Sequence, residues 1–467
     1  MSAHPSLCWI LLGTVLAPGC VPRDVGYQDA RTLVRDRLGE DVRWGHPEDG
    51  EATGAVRRLL AAPLTADAAA RIALLNSRAL QASFERLGVA RGGLIGALAL
   101  PNPTLHAGLG YHAGTAAPDA DVDLTLDLTR LLFLPARQGA ARAALSAAAV
   151  EVAGEAMDLA LRARGAWCDF VASRQTLALR RTVVEAAYAG YDAARRLRDA
   201  GNLTDLAVAN EQALYEQARL DLTQAEQAVV VAREHVNAVL GLWGASAGWT
   251  APATLPEPPD VLPALEDVEA RALARSVDLE LARRRYGAAA RAANLATAEG
   301  WLPTLRAGVG YQREDEQDEW GPVIGLEIPL FDQGQGATAE AEARLLGEAD
   351  RLADLGVRIR AAARATATRV RIAHAQVRHY RDVLQPLRAR IVQQTLLRYD
   401  AMSVGVLQLL QARRDEVETA RAFVEALRAY WVARAELDQI LAGRLVDGAG
   451  TAPPMAEAMT GSRRDDH

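Results

Sequence analysis

Two hydrophobic periodicities alternate along the chain, and each predicts a different kind of element. Apolar residues recur every three to four positions over about 68–98, 137–199 and 206–242, which predicts helices. Gly201 and Asn202 separate the last two of these stretches. A run as long as 137–199 would form a rod of roughly 95 Å at a helical rise of 1.5 Å per residue. The chain is therefore predicted to contain long helical hairpins.

A heptad repeat marks the second helix of each predicted hairpin. Apolar residues recur every seven positions from Val208 to Val236 and again from Leu410 to Trp431, with smaller apolar residues between them. Glu211 is the one polar residue that interrupts the first series. We interpret both series as seams between neighbouring helices, which is a packing role.

Between the helical stretches lie short segments in which apolar and polar residues alternate. Val122, Leu124, Leu126 and Leu128 alternate with acidic or hydroxyl residues, and residues 323–330 alternate in a similar way. Segments 104–112 and 304–312 are the predicted partner strands. Each is about as long as a tilted strand that crosses a bilayer. The pattern predicts two β-hairpins, 103–131 and 303–331, with polar tips at 112–120 and 312–320.

Four strands are too few to close a pore, and an open sheet edge cannot lie in lipid because its amides would lack partners. If these strands cross a membrane, other copies of the chain must complete the barrel. The acidic residues Asp121, Asp123, Asp127 and Glu327 would then line its interior and favour cations. The alternative is a water-exposed sheet with one buried face, which also produces alternation.

An internal duplication relates the two halves. The segment PTLHAGLGY at 103–111 returns as PTLRAGVGY at 303–311, with seven of nine residues identical. Asp199-Ala200 likewise returns as Asp400-Ala401, so the separation stays close to 200. A proline-rich stretch lies between the two copies. We therefore predict two tandem repeats, 67–249 and 265–445, joined by a linker at 250–264.

The N-terminus indicates export. An apolar run at 7–16 is followed by LAPGC at 16–20, which resembles a bacterial lipoprotein box. This predicts a signal peptide at 1–19, a lipid-anchored Cys20 and an N-terminal extension at 20–66. An ordinary cleaved signal peptide is the alternative. Residues 446–467 are rich in Gly, Pro and charge, and we predict a disordered tail.

Composition narrows the class of protein further. Half of the residues are apolar but only 5% are aromatic, a mix that favours long helices packed through small side chains. A formal net charge of −7 argues against a nucleic-acid partner. The three cysteines are too few and too scattered for a disulfide or zinc framework. The sequence also contains no phosphate-binding glycine loop, histidine-rich motif or nucleophile elbow, so no enzyme, cofactor or metal site is predicted.

With these features the sequence resembles the TolC family of outer-membrane efflux proteins, in particular its CzcC/CusC-like members. The resemblance rests on LPNPTL at 100–105, on IPLFDQG at 328–334, and on the turns DAGNL at 199–203 and YDAMS at 399–403. It implies a mainly helical fold and a homotrimer. Each copy would give four strands to a 12-stranded transmembrane β-barrel and long helices to a periplasmic tunnel. It also implies a periplasmic adaptor and an inner-membrane pump of the RND type as partners.

The resemblance further implies that the helix turns form the narrow periplasmic tip of the tunnel. The residues that match this region are Asp199, Gly201, Asn202, Asp205, Tyr399, Met402, Gln408 and Gln411. Where many members carry acidic residues in the second repeat, this chain has Gln408 and Gln411. Met402 stands where the family usually has glycine. We interpret it as a packing residue and not as a metal ligand.

The function expected from sequence is therefore a passive exit duct in the outer membrane for small substrates such as metal cations or drugs. Outer-membrane lipid would surround its barrel. The alternative is a periplasmic adaptor or coiled-coil scaffold without a pore of its own. The sequence does not distinguish a metal ion, a drug and a metabolite as the cargo.

Overall fold

The structure is a computed structural model that describes residues 21–22, 24–44, 50–110, 119–262, 265–314 and 317–446. It is mainly helical with one small antiparallel sheet, as predicted. The twelve α-helices of the described residues are α1 Tyr27–Leu38, α2 Gly50–Leu60, α3 Ala66–Asn76, α4 Arg78–Leu98, α5 Leu128–Leu132, α6 Leu134–Asp199, α7 Asp205–Leu240, α8 Val268–Ala274, α9 Val277–Trp301, α10 Gln335–His379, α11 Gln385–Asp400 and α12 Val406–Ala442. The strands are β1 Thr104–Gly110, β2 Asp119–Asp127, β3 Thr304–Glu314 and β4 Gln317–Glu327.

The same order of elements occurs in both halves of the chain: helices, two strands, a long helical stretch, a turn and a last helix. This order fits the predicted duplication, which stays a prediction. By its contacts the chain forms two compact units. The first comprises the described residues up to Leu33 together with Ala82–Ala153 and Leu279–Leu355. The second comprises Val34–Gln81, Gly154–Asp278 and the described residues from Gly356 onward.

The sheet lies wholly in the first unit and has the strand order β1-β2-β3-β4. All neighbours are antiparallel, with Leu105 opposite Leu124, Leu124 opposite Val309, and Ala307 opposite Ile324. Because side chains alternate between faces along a strand, this register places the apolar residues of all four strands on one face, except Val323 of β4.

The heptad seams are confirmed as packing. Val208, Val236, Val417, Val424 and Leu427 are all buried in the second unit. Small residues dominate this core, since many of its buried positions are alanines. Helices packed through alanine approach closely, which agrees with the low aromatic content of the chain.

One predicted helix is divided in two. The stretch 68–98 forms α3 and α4, which are separated at Ser77, where the backbone is extended. The Asn76 side chain donates hydrogen bonds to the carbonyl oxygens of Leu240 and Gly241 at 2.9 and 2.8 Å. This contact between residues 164 and 165 positions apart fixes the end of α3. The Ser77 hydroxyl then accepts the N–H of Leu80 at the start of α4.

The strands also differ from the prediction at their ends. Leu128 was expected to continue the alternation of β2, but that strand ends at Asp127 and Leu128 begins α5. Ile328 and Leu330 likewise lie beyond the end of β4 at Glu327. The expected polar tip at 312–320 is mostly strand, because β3 runs to Glu314 and β4 begins at Gln317.

A π-helical turn interrupts the long helical stretch of the second half. Tyr380–Leu384 forms this turn, and Gln385-Pro386 follows it at the start of α11. Proline has no N–H and its ring collides with the carbonyl of the preceding turn, so the helix must widen or kink next to it. Pro386 therefore explains the position of the irregular turn.

Among the described residues, no helix combines the length and the apolar character that crossing a membrane requires. The expectations for 1–19, Cys20, the first hairpin tip at 112–118 and the tail after Val446 lie outside the described residues.

Candidate channel-forming sheet and helix-turn tips

One face of the sheet is polar and carries the four predicted lumen acids. By register, Asp121 and Asp123 lie on the same face as Asp127, and Glu327 lies on that face of β4. Asp123 has His106 opposite it on β1 and Gly310 opposite it on β3. The structure therefore brings these carboxylates to one face, alongside a row of glycines that leaves them room.

Asp127 has a second partner that sequence reasoning missed. Its carboxylate accepts the N–H of Arg130 at 2.7 Å and so caps the N-terminus of α5. An Asp directly before a helix is a recognisable N-cap signal, because its side chain can accept an N–H of the first helical turn. In this sequence Asp127 also fits the strand alternation, which hid its capping role. The capping bond holds the Asp127 carboxylate at the end of the sheet, so Asp121, Asp123 and Glu327 are the stronger lining candidates.

The opposite face of the sheet is apolar and open to solvent in a single copy. Most of its large side chains are at least half exposed, among them Leu109 at 68%, Ile324 at 71% and Trp320 at 73%, whereas Val122, Leu126 and Tyr311 are partly covered. The apolar residues of this face are Leu105, Ala107, Leu109, Ala120, Val122, Leu124, Leu126, Leu305, Ala307, Val309, Tyr311, Trp320, Pro322, Ile324 and Leu326. A continuous apolar surface of this kind requires lipid or protein to cover it.

Polar side chains border the apolar face at the end where β3 meets β4. Tyr311 and Trp320 pack with ring centroids 4.9 Å apart, and the Tyr311 hydroxyl donates a hydrogen bond of 2.7 Å to Asp318. Arg313 lies 3.8 Å from the same carboxylate. An aromatic pair with one wet end is typical of the boundary between lipid and water.

Gly308 lies where strands β2 and β3 approach most closely. A Cβ atom at this position would lie 1.9 Å from the carbonyl oxygen of Leu124, too close for any side chain. Gly310, two residues further along the same face, faces a similar restriction from the Asp123 side chain at 2.5 Å. Glycine is therefore required here by close approach of the two backbones.

The first helix turn joins α6 to α7 in the second unit. Gly201 adopts a left-handed backbone with φ of 77°, and the N–H of Asn202 donates to the Leu197 carbonyl at 2.9 Å. Thr204 then caps α7 by accepting the N–H of Ala207. Asp199, the last residue of α6, lies beside Arg198.

Arg198 brings the two acids of the first turn together. Its guanidinium donates to Asp199 at 2.6 Å and lies 3.7 Å from Asp205. The hydrogen bond and charge of Asp199 raise the pKa of Arg198 above its ordinary value. Asp205 therefore stands beside a cation, although its own side chain is 92% exposed. Sequence reasoning singled out the acids and missed this arginine.

The second turn joins α11 to α12 and has the same backbone course with a different residue. Met402 is left-handed with φ of 56°, at the place that Gly201 holds in the first turn. The N–H and hydroxyl of Ser403 both donate to the Arg398 carbonyl at 2.9 Å. The interpretation of Met402 as a packing residue is wrong within one copy, because 94% of its side chain is exposed.

Gln411 and Gln408 lie on the first turns of α12. Gln411 donates a hydrogen bond of 2.8 Å to Asp415, which in turn pairs with Arg388 of α11 at 3.2 Å. Gln408 donates its N–H to the carbonyl of Gly405, and Tyr399 at the end of α11 is 40% exposed. Asp415, one helical turn beyond Gln411, is therefore the acidic residue that these contacts bring beside Gln411. Its spacing of four residues from Gln411 was the signal that could have identified it.

A buried ion pair links the two last helices of the two halves. Glu211 on α7 and Arg414 on α12 lie 3.0 Å apart, with side chains only 10% and 16% exposed. Gly190 on α6 provides the space, since a Cβ there would come within 2.9 Å of both the Glu211 carboxylate and Leu410. The polar interruption of the first heptad seam thus has a partner 203 residues away.

Two further side chains with reactive groups have structural roles. Cys168 is 4% exposed and forms no disulfide within the described residues. Burial, together with the neighbouring Asp169 carboxylate, raises the pKa of its thiol to about 12. His374 is buried as well, with its Nε2 2.8 Å from the Pro259 carbonyl oxygen. The described residues contain no cluster of His, Cys, Asp and Glu that could hold a metal ion.

Comparison with known proteins shows which of them share this architecture. No protein-family model matches the sequence. The chain is similar to the cobalt-zinc-cadmium resistance protein CzcC of Cupriavidus metallidurans, with 23% identity over 396 residues that cover 82% of this chain and 91% of CzcC. The outer-membrane protein VceC of Vibrio cholerae superposes with a TM-score of 0.64 at 17% identity, covering 86% of this chain and 98% of VceC. The open outer-membrane channel MtrE of Neisseria gonorrhoeae gives a TM-score of 0.61 at 17% identity, covering 84% and 89%.

These matches show the fold of the chain. The chain has the fold of an outer-membrane channel. It is the fold of the TolC family, and the resemblance predicted from the sequence is confirmed.

Proposed function

We propose that this protein is the outer-membrane exit duct of a tripartite efflux system, and that three copies form one channel. The observation that carries the proposal is the four-stranded sheet. Its apolar face is exposed, and β1 and β4 each pair with only one strand among the described residues. Three such sheets joined edge to edge would give a closed barrel of twelve strands, with the apolar face toward outer-membrane lipid.

The long helices supply the other part of the duct. The hairpins α6–α7 and α11–α12 would line a periplasmic tunnel, and the turns at 199–205 and 399–405 would form its narrow tip. A periplasmic adaptor would dock on these turns and connect them to an inner-membrane pump of the RND type. Met402 supports this assignment, since a nearly fully exposed methionine on a strained turn suits contact with a partner better than packing within one copy.

The polar face of the sheet would line the barrel. Asp121, Asp123 and Glu327 would give it a negative potential and favour cations. The printed name of CzcC refers to cobalt, zinc and cadmium. We therefore propose divalent metal cations as the cargo, carried passively and driven by the pump. The protein would act without catalysis or a cofactor, and Cys20 would anchor its mature N-terminus in lipid.

Fractionation and electrophoresis test the duct. The full chain should be recovered from the outer membrane and should migrate as a trimer that heating converts to monomer. Reconstituted in planar bilayers, it should give discrete conductance steps. A monomer in the periplasmic fraction, with no conductance after reconstitution, would instead identify an adaptor or coiled-coil scaffold and refute the proposal.

The lipid anchor needs a separate measurement. A Cys20→Ser variant should lose the mass of the attached acyl chains and keep its barrel. An unmodified Cys20, or a mature chain that begins elsewhere, would show an ordinary cleaved signal peptide.

A further inference from the structure

A cleft lined by arginines lies between α6 and α9, within the first compact unit. Its volume is about 560 Å³. Four arginines line it, Arg142 on α6 and Arg283, Arg284 and Arg291 on α9. Gly139 and Gly287 also line it, and neither has an atom within 4 Å of where a Cβ would stand. The missing side chains keep the space between the two helices open.

The helices hold these arginines at a fixed spacing. Arg284 donates to the Ser146 carbonyl of α6 at 3.1 Å, and Arg137 of α6 pairs with Glu299 of α9 at 2.6 Å. Between these two contacts, Arg142 and Arg291 lie at similar levels on antiparallel helices. Their like charges repel each other, and the repulsion is largest where few counter-charges are near.

Counter-charges are scarce at this cleft. Arg284 pairs with Glu280 at 2.7 Å. No acidic side chain of the described residues lies within ion-pair distance of Arg142, Arg283 or Arg291, whereas the adjacent Arg285 pairs with Glu151 at 2.9 Å. The cleft therefore has an excess of three positive charges, although the whole chain has a net charge of −7.

From this arrangement we infer that the cleft between α6 and α9 binds the phosphate group of an anionic ligand. Guanidiniums donate paired hydrogen bonds to phosphate oxygens, and several of them converge on one group more readily than ammonium groups do. A phosphate dianion offsets most of an excess of three charges, whereas a single carboxylate offsets only one. The bound anion would also remove the repulsion between Arg142 and Arg291. The phosphate could belong to a free small anion or to a phospholipid headgroup.

The test compares the full chain with a variant that lacks two of the arginines without an acidic partner among the described residues, Arg142→Gln with Arg291→Gln. Calorimetric titration of the purified protein with inorganic phosphate, at constant ionic strength in chloride, measures the affinity. The variant should bind phosphate at least about tenfold more weakly, because each charged hydrogen bond lost contributes to binding. Arg344→Gln with Arg351→Gln, on α10 of the same unit, removes two paired and exposed arginines and should leave the affinity unchanged.

Thermal melting separates a binding site from a structural role. Phosphate should raise the melting temperature of the native protein and not that of the cleft variant. Without phosphate the cleft variant should melt at the native temperature or above it, since the repulsion is gone. A cleft variant that melts lower in both buffers would assign the arginines a structural role and overturn the proposal.

Native mass spectrometry distinguishes the two sources of the phosphate. If the headgroup of a lipid occupies the cleft, a phospholipid should remain bound to the native chain and be lost from the cleft variant. Binding of inorganic phosphate without retained lipid would identify a free anion. If neither ligand binds, or if both bind the native chain and the cleft variant equally, the inference is wrong.

Discussion

Single residues decide how closely the strands of the sheet can approach each other. At Gly308, any side chain would collide with the carbonyl oxygen of Leu124 on the neighbouring strand. The repeated motif PTLRAGVGY contains this glycine, but the motif alone gives no reason for it. The reason appears only when the register of β2 and β3 is known.

Gly308→Ala should therefore weaken the sheet. Inserting a methyl group where two backbones touch costs about 1–3 kcal/mol by overpacking. We expect a lower thermal midpoint and a smaller fraction of heat-resistant oligomer on gels. Gly321→Ala is the matched control, because a Cβ there has nothing within 4 Å. If both variants assemble like the native chain, the close approach at Gly308 is not a constraint on the fold.

Burial sets the chemistry of Cys168. The pKa of its thiol is raised from 9.0 to about 12, mainly by desolvation, which disfavours the thiolate. At pH 8 the thiolate fraction should be lower than that of an ordinary thiol by about a thousandfold.

Alkylation by iodoacetamide, followed by mass spectrometry of the peptide that carries Cys168, measures this effect. The native protein should react at least about a thousandfold more slowly than the same protein in denaturant, and its rate should rise about tenfold per pH unit below pH 11. Rapid labelling of Cys168 in the native protein would mean that the thiol is accessible and that its pKa is not raised.

At the scale of elements, the period of the hydrophobic pattern predicted most of the helices and all four strands. It failed where an end is fixed by a distant partner. The break between α3 and α4 depends on Asn76 bonding to the carbonyls that end α7, and no local pattern reports that contact. The end of β2 was missed for a different reason, because Asp127 satisfies both the strand alternation and the capping of α5. The irregular turn before Pro386 could have been predicted from the proline itself.

The candidate site was likewise predicted in part: some of its residues follow from local sequence pattern, and others depend on contacts between distant residues. The register confirms that the predicted lumen acids share one face, since alternation determines the face of a strand. Their role in conduction stays a prediction. The partners of the helix turns were missed, because Arg198 and Asp415 bear on function only through contacts that the fold creates.

The ion pair between α7 and α12 permits a test at this scale. Removing one member of a buried pair leaves the other charged and unpaired, so Glu211→Ala should lower the free energy of unfolding by about 3–5 kcal/mol. Glu216→Ala, which removes an exposed partner of Arg219, should change it by less than about 0.5 kcal/mol. Chemical denaturation of the two variants gives both values.

A double variant checks the cause. Replacing both members by leucine, Glu211→Leu with Arg414→Leu, should recover most of the loss, because no unpaired charge then remains in the seam. If Glu211→Ala behaves like the exposed control, the pair contributes little and the polar position in the seam lacks an energetic explanation.

At the scale of the whole molecule, the arrangement of charge predicts ion selectivity. In the proposed barrel, Asp121→Asn with Asp123→Asn removes two negative charges per copy from the lining face. The preference for cations over anions should fall, which the reversal potential in planar bilayers with a salt gradient measures. Asp318→Asn removes an acid from the other face of the sheet and should leave the reversal potential unchanged. Equal reversal potentials for all three proteins would exclude Asp121 and Asp123 from the lining.

The open edges of the sheet have a consequence for inheritance. If every channel needs three sheets, one non-functional copy that still pairs with its neighbours inactivates the trimer, including its two functional copies. If a cell makes functional and non-functional chains in equal amounts and they assemble at random, each of the three positions of a symmetric trimer is functional half of the time. Only about one-eighth of the channels would then contain three functional copies. Faults that spare the strand edges should therefore be dominant, and faults that prevent pairing should be recessive.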